Sequence, residues 1–383
     1  MSLKTFGPTP GAVLVEIPVH IPVHEGPISS IAASPDGARL MVTNYGRDSV
    51  SVIDTDTLRV VQTVAGVNEP FAIAIGSADD DRAYVSAASA AYDSIEVIDT
   101  SSNTVIASHP LALSVSDLVV SSDGKNVYAS RNGARGGDIA VLDTTTDEVE
   151  VIELGPGITT ECVRVSSDGA RLYVGTNGPA GGRLVVFGAD APSGDFARSR
   201  RHRKNSKGAT NSTRSSGKLR VIGTVGIGLP IRDVALSADG SVAYVASSCP
   251  ELGPELSVVV DVIDTRNNTI VHTSKVGEVS GVLIGLTLSG DGDRAYLVTA
   301  DSITVLCTRT HDVVDTLGCA IQPSAVVESP DGELLYIADY SGTVSVVPIA
   351  SKTPLAIESA AHDNDAAADW DSPELLHYEP ALA

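Results

Sequence analysis

Acidic side chains outnumber basic ones by 48 to 26 in this chain of 383 residues, a formal charge of −22 that opposes long-range association with nucleic acid and anionic membranes. With 43% hydrophobic and 19% charged residues, the composition is that of a packed core and not of a disordered chain. No stretch approaches the ~18 continuous apolar residues of a membrane helix, and the first residues lack the basic, apolar and small-residue segments of a signal peptide. A soluble cytoplasmic protein without a membrane span is expected, with export or envelope association left open.

In chain order, a flexible start at residues 1–10 precedes an apolar segment at 12–18 (AVLVEIP) that reads as a strand. From residue 28 onward one unit recurs seven times: an apolar strand, an Asp-Gly turn, a strand such as Leu-Tyr-Val, a polar loop, and a strand ending Val-Ile-Asp-Thr. The turns are Pro35-Asp36-Gly37, a degenerate Asp79-Asp80-Asp81, Ser122-Asp123-Gly124, Ser167-Asp168-Gly169, Ala238-Asp239-Gly240, Gly290-Asp291-Gly292 and Pro330-Asp331-Gly332. Glycine there tolerates positive φ, and aspartate bonds its own following amides. The first unit predicts strands at 30–33, 39–44, 49–54 and 58–64, filled with the β-branched and aromatic residues that suit a buried sheet. A fixed period of this size with four short strands per unit predicts an all-β fold, a seven-bladed β-propeller with four antiparallel strands per blade.

The seventh unit has only three strands, at 325–329, 333–338 and 343–349. The strand at 12–18 is expected to supply the fourth, so the propeller spans residues 11–351 and is closed by its own N-terminus, protecting its sheet edges. The aspartates at Val52–Thr55, Val97–Thr100, Val262–Thr265 and in Val141-Leu142-Asp143-Thr144 are expected to cap turns into the outermost strand, not to form a catalytic ring.

Two segments stand outside the repeat. Residues 197–218 interrupt blade 4 as a disordered basic insertion, and from 198 to 220 there are nine Lys/Arg and no acid. Arg198, Arg200, Arg201, Arg203, Lys204 and Lys207 would form an arm for an acidic partner. Nucleic acid is an alternative partner, disfavoured by net charge and by the absence of aromatic stacking residues in the arm. Residues 352–383 form an acidic tail holding the only tryptophan, Trp370.

The Ser-Pro-Asp-Gly, Tyr-Val and Val-Ile-Asp-Thr elements resemble the YVTN-type β-propeller repeats of bacterial proteins. The resemblance is carried best by SPDGARLMVT at 34–43 with Asn44, by SDGARLYVGTN at 167–177, and by Asp54-Thr55. It implies a seven-bladed propeller and little about activity, since relatives range from surface-layer proteins to proteins credited with single-stranded DNA binding or envelope roles. Blades 4, 6 and 7 depart at the last motif, with Phe187-Gly188, Cys307-Thr308 and Pro348-Ile349 replacing Asp-Thr. The repeats hold no tryptophan, which disfavours Trp-Asp repeats, Asp-box sialidases and Trp-motif quinoprotein dehydrogenases. Lactonase propellers share the architecture and stay an alternative by analogy.

Loops leading into the inner strands share a face with loops joining the second and third strands. Propeller ligands bind at such a funnel because convergent loops make a concave site on a rigid base. The candidate ligand residues there are His24, Asn44, Arg47, Asp117, Arg131, Arg135, Glu161, Arg164, Arg183 and Arg232. Their arginines suit a carboxylate or phosphate ligand; the alternative is pairing with Asp48, Asp138, Glu161 and Asp233. Arg164 is unusual because it lies inside an inner strand. It must reach the channel or a carboxylate partner, as a structural ion pair or as a ligand contact.

The chain has no Gly-Lys-Ser/Thr phosphate loop, no HExxH and no Gly-x-Ser-x-Gly elbow. The eight histidines are scattered, and Cys162, Cys249, Cys307 and Cys319 suggest neither a zinc site nor a disulfide framework. The expectation is a monomeric, non-enzymatic scaffold with no metal or cofactor, binding a protein or small anionic ligand. The rival is a lactonase-like enzyme using Glu25, Asp117 or Glu161 for acid–base work.

Overall fold

The computed structural model describes residues 18–77, 80–89, 92–189, 219–248, 258–276, 281–318 and 320–349. Residues 1–10, the insertion at 197–218 with its arm, the tail at 352–383, Cys249 and Cys319 lie outside the described residues. What is described forms seven four-stranded antiparallel sheets. Blade 1 contains Ile28–Ala33, Arg39–Asn44, Ser49–Asp54 and Arg59–Ala65 in that order from inner to outer strand. Among the described residues there is no helix, and hence none long and apolar enough to cross a membrane.

One large side chain per blade fills the space between sheets. The second strands place Met41, Tyr84, Tyr128, Tyr173, Tyr244, Tyr296 and Tyr336 at one shared register position, each at most 8% exposed. Around them the clusters are valine, isoleucine, leucine and alanine, and they join neighbouring blades: Tyr336 and Ala338 of blade 7 pack with Ile31, Leu40 and Ile53 of blade 1. Fully burying an aliphatic side chain of this kind is worth about 1.5–3 kcal/mol, so these inter-blade clusters hold the ring together.

The recurrent turns are tied by their own polar residues. In six blades the serine two positions before the Asp-Gly aspartate donates its hydroxyl to that carboxylate, as Ser34 does to Asp36 at 2.6 Å and Ser237 to Asp239 at 2.7 Å; the others are Ser121, Ser166, Ser289 and Ser329. The Asp-Thr motifs act as expected: Asp54, Asp99, Asp143 and Asp264 accept amides of the following turn. These bonds, led by the Ser101 hydroxyl, hold the Asp99 carboxyl at about 2. The threonine ties the same turn back to the hairpin, with Thr55, Thr144, Thr265 and Thr308 donating to the carbonyls of Gly37, Gly124, Gly240 and Gly292. In blade 6 Cys307 occupies the aspartate position; burial pushes its thiol up, but the Thr310 and Arg309 amides outweigh this and leave it below its ordinary value.

Ring closure uses a different segment from the one expected. The strand that completes blade 7 is Val19–Pro22, not 12–18; of the latter only Pro18 is described, and it lies outside any strand. Val19–Pro22 pairs antiparallel with Thr343–Pro348, Ile21 opposite Val344. Ile21 and, just beyond the strand, Val23 are 4% and 5% exposed, whereas Val19 is 50% exposed, so only the C-terminal end of this short paired strand enters the core.

Candidate functional site

Six inner strands carry a β-bulge near their start, which sets the geometry of the funnel. The register slips by one residue at Ser29, Ser116, Glu161, Arg232, Ile284 and Ser324. A bulge adds an unpaired residue and re-aims its side chain, so these positions, Glu161 and Arg232 among them, leave the regular ladder at the funnel end.

The structure brings Asp117, Arg164 and Asp233 together across three blades. Arg164 donates one terminal nitrogen to Asp117 of blade 3 and the other to Asp233 of blade 5, the latter at 2.6 Å. Asp117 Oδ1 also accepts the Leu118 amide at 2.9 Å and Oδ2 the Val163 amide of blade 4 at 3.0 Å. Asp233 Oδ1 accepts the Val234 amide at 2.7 Å and Oδ2 the Leu286 amide of blade 6 at 2.8 Å. Each aspartate therefore ties its own inner strand to that of the next blade. Burial, which by itself would lower the Arg164 guanidinium, is outweighed by Asp117 and Asp233, and it is held above its ordinary value. Burial pushes the Asp233 carboxyl up, with Arg164 opposing. Of the two readings of Arg164, this geometry is that of a structural ion pair. Beside it, burial pushes the Cys162 thiol up, leaving it unreactive.

Two asparagines repeat the stitching, and the sequence carries their signal. Asn132 and Asn177 each follow the core tyrosine of their strand by four residues. Asn132 accepts the Thr160 amide at 2.8 Å and donates to the Thr160 carbonyl at 2.7 Å. Asn177 does the same with Ile231 at 2.8 and 2.9 Å. Blades 3 to 6 are thus joined at the funnel end by charged or amide side chains on backbone.

The remaining candidates divide sharply. Arg131 pairs with Asp138 at 2.7 Å and both are buried, a structural pair between adjacent strands. Asn44 is also buried, donating to Ser49 and Ser51 at 3.0 and 2.9 Å. Neither is available to a ligand. By contrast His24, Arg47, Arg135 and Arg183 are exposed, and Arg232 and Glu161 are half-buried. Arg47, Arg135, Arg183 and Arg232 make no ion pair among the described residues, so the expected pairing with Asp48, Glu161 and Asp233 does not occur; the Nε of Arg232 is buried without a partner. Among the described residues no group of three His, Cys, Asp or Glu side chains could hold a metal ion.

Seven four-stranded sheets in a ring, closed by an N-terminal strand, define a seven-bladed β-propeller. The chain belongs to the seven-bladed β-propeller proteins. It is 54% identical over 384 aligned residues to the seven-bladed β-propeller protein Rv1057 of Mycobacterium tuberculosis (strain ATCC 25618 / H37Rv), covering 99% of this chain and 95% of that one. A solved structure of Kuenenia stuttgartiensis hydrazine synthase matches with a TM-score of 0.69 and 22% identity, over 90% of this chain and 99% of that chain; at that identity the likeness shows the fold alone. No protein-family model matches the sequence.

Proposed function

We propose that this protein is a binding module whose funnel face takes an anionic ligand, free or carried on a protein partner. The observation that supports it is the set of four arginines, Arg47, Arg135, Arg183 and Arg232, that make no ion pair among the described residues of a chain of charge −22. Surplus acid is abundant elsewhere, so unpaired cations gathered on one face favour a forked, bidentate partner such as a carboxylate or phosphate. The lactonase alternative loses one of its three acid–base candidates, because both oxygens of Asp117 are committed to Arg164 and to backbone amides.

The test is calorimetric titration with citrate and with inorganic phosphate, comparing the parent protein with R135A/R183A/R232A. Binding of either anion that falls at least tenfold in the variant, and weakens with salt, supports the funnel. Affinity unchanged by the three substitutions, or no binding of either probe, overturns it.

A further inference from the structure

The exposed apolar side chains of this ring are not scattered. Of those that are large and exposed, twelve lie on outer strands or on the closing strand, such as Val61, Ile106, Val221 and Val271. The other six are Tyr45, Phe71, Tyr92, Val282, Ile321 and Tyr340, and all six lie in loops of the funnel face. Among the described residues, the opposite face, with its Asp-Gly and Asp-Thr turns, has none. The six also occupy one continuous arc: Val282 leads into blade 6, Ile321 and Tyr340 belong to blade 7, Tyr45 to blade 1, and Phe71 and Tyr92 to blade 2. Three of the four unpaired arginines, Arg135, Arg183 and Arg232, occupy the complementary arc of blades 3, 4 and 5.

Resting on the anion-binding reading above, we propose that the funnel is bipartite and that its ligand is an amphipathic organic anion, an aromatic or aliphatic body bearing one carboxylate, sulfonate or phosphate group. The arginine arc takes the charged head. The apolar arc of blades 6, 7, 1 and 2 takes the body, so a ligand lying across the mouth is read at both ends. Ile321, 73% exposed, and Tyr92, 51% exposed, contribute little to the core and are not required by the ring. Isolated exposed apolar residues are ordinary on a protein surface, but six of them confined to one face and to the loops of four consecutive blades favour a binding surface.

The probe is anilinonaphthalene sulfonate, an aromatic anion whose fluorescence rises in apolar surroundings, titrated against the full chain with inorganic sulfate as the headgroup-only competitor. The variants are I321S/Y340S on the apolar arc, R183A/R232A on the cationic arc, and V221S/I222S on an outer strand as a control for general apolar binding. The expected result is one dominant site, weakened at least tenfold by either funnel variant and changed less than twofold by the control. I321S/Y340S should leave sulfate binding intact, whereas R183A/R232A should lose it. If I321S/Y340S leaves the probe's affinity within twofold while R183A/R232A abolishes it, the bipartite assignment falls and the anion-binding reading stands. If neither funnel variant changes the affinity, or the outer-strand control does so as strongly, both fall. Every substituted apolar residue is exposed, so unchanged thermal unfolding of each variant confirms that affinity, not folding, is being read.

Discussion

Replacing Arg164 with methionine tests whether the Asp117–Arg164–Asp233 triad is structural. Methionine keeps much of the aliphatic stem but leaves two aspartates facing each other without their shared cation. Their side chains are only 20% and 13% exposed, and that of Arg164 28%. Removing one partner of a buried ion pair costs about 3–5 kcal/mol. Partial solvent access to the triad reduces this, and R164M should destabilise the protein by roughly 2–3 kcal/mol at pH 7. Urea unfolding at unchanged slope reads the difference from the midpoint. The deficit should also depend on pH in a definite sense. Burial raises the Asp233 carboxyl, and losing Arg164 removes the group that opposes the rise. An acid whose folded-state pKa lies above its unfolded value stabilises when protonated and loses that contribution as pH rises through the folded pKa. The penalty of R164M should therefore be largest above pH 7 and shrink as pH falls towards 4. A variant within about 0.5 kcal/mol of the parent at pH 7, or a deficit that does not change with pH, would refute the structural role and return Arg164 to the ligand.

Three further outcomes follow from the geometry. A truncation ending at residue 23 should cost at least about 3 kcal/mol more, by urea unfolding, than one ending at residue 17, because only the former removes the buried Ile21 and Val23. Gly181→Ala should destabilise by more than about 2 kcal/mol, since at φ 90° its Cβ would lie 2.2 Å from the Gly228 carbonyl oxygen, whereas Gly226→Ala, with open space around its Cβ, should change thermal stability little. His272 of blade 5 stacks on His311 of blade 6 with ring centroids 4.0 Å apart, and burial followed by the His272 charge lowers the His311 imidazole, with Asp312 opposing. A base depressed on folding stabilises above its unfolded pKa of about 6.5 and loses that contribution as pH falls through its folded pKa. His311→Asn, which suits the left-handed φ of 62°, should flatten the fall in stability below pH 6.5 in a pH series of melting curves.

The sequence alone determined the blade count, the strand order within each blade and the turn chemistry. All three are local: an Asp-Gly hairpin and an Asp-Thr turn each satisfy their bonds within one repeat, so period and composition suffice to read them, whereas the serine hydroxyl two residues before the hairpin aspartate emerged only from the structure. The unusual place of Arg164 in an inner strand was visible for the same reason, since neighbouring repeats supply the comparison. What tertiary structure decided is everything that crosses between blades. Residues 12–18 are more apolar than Val19–Pro22 and read as the better strand, yet ring closure depends on which residues register against Thr343–Pro348 with Ile21 facing the core. Asp117 and Asp233 stand in separate repeats 116 positions apart in number, and only the closed ring brings both onto one guanidinium. Pairing like that of Asp117, Arg164 and Asp233 depends on distances of a few ångströms across blades, which no pattern within a single repeat encodes.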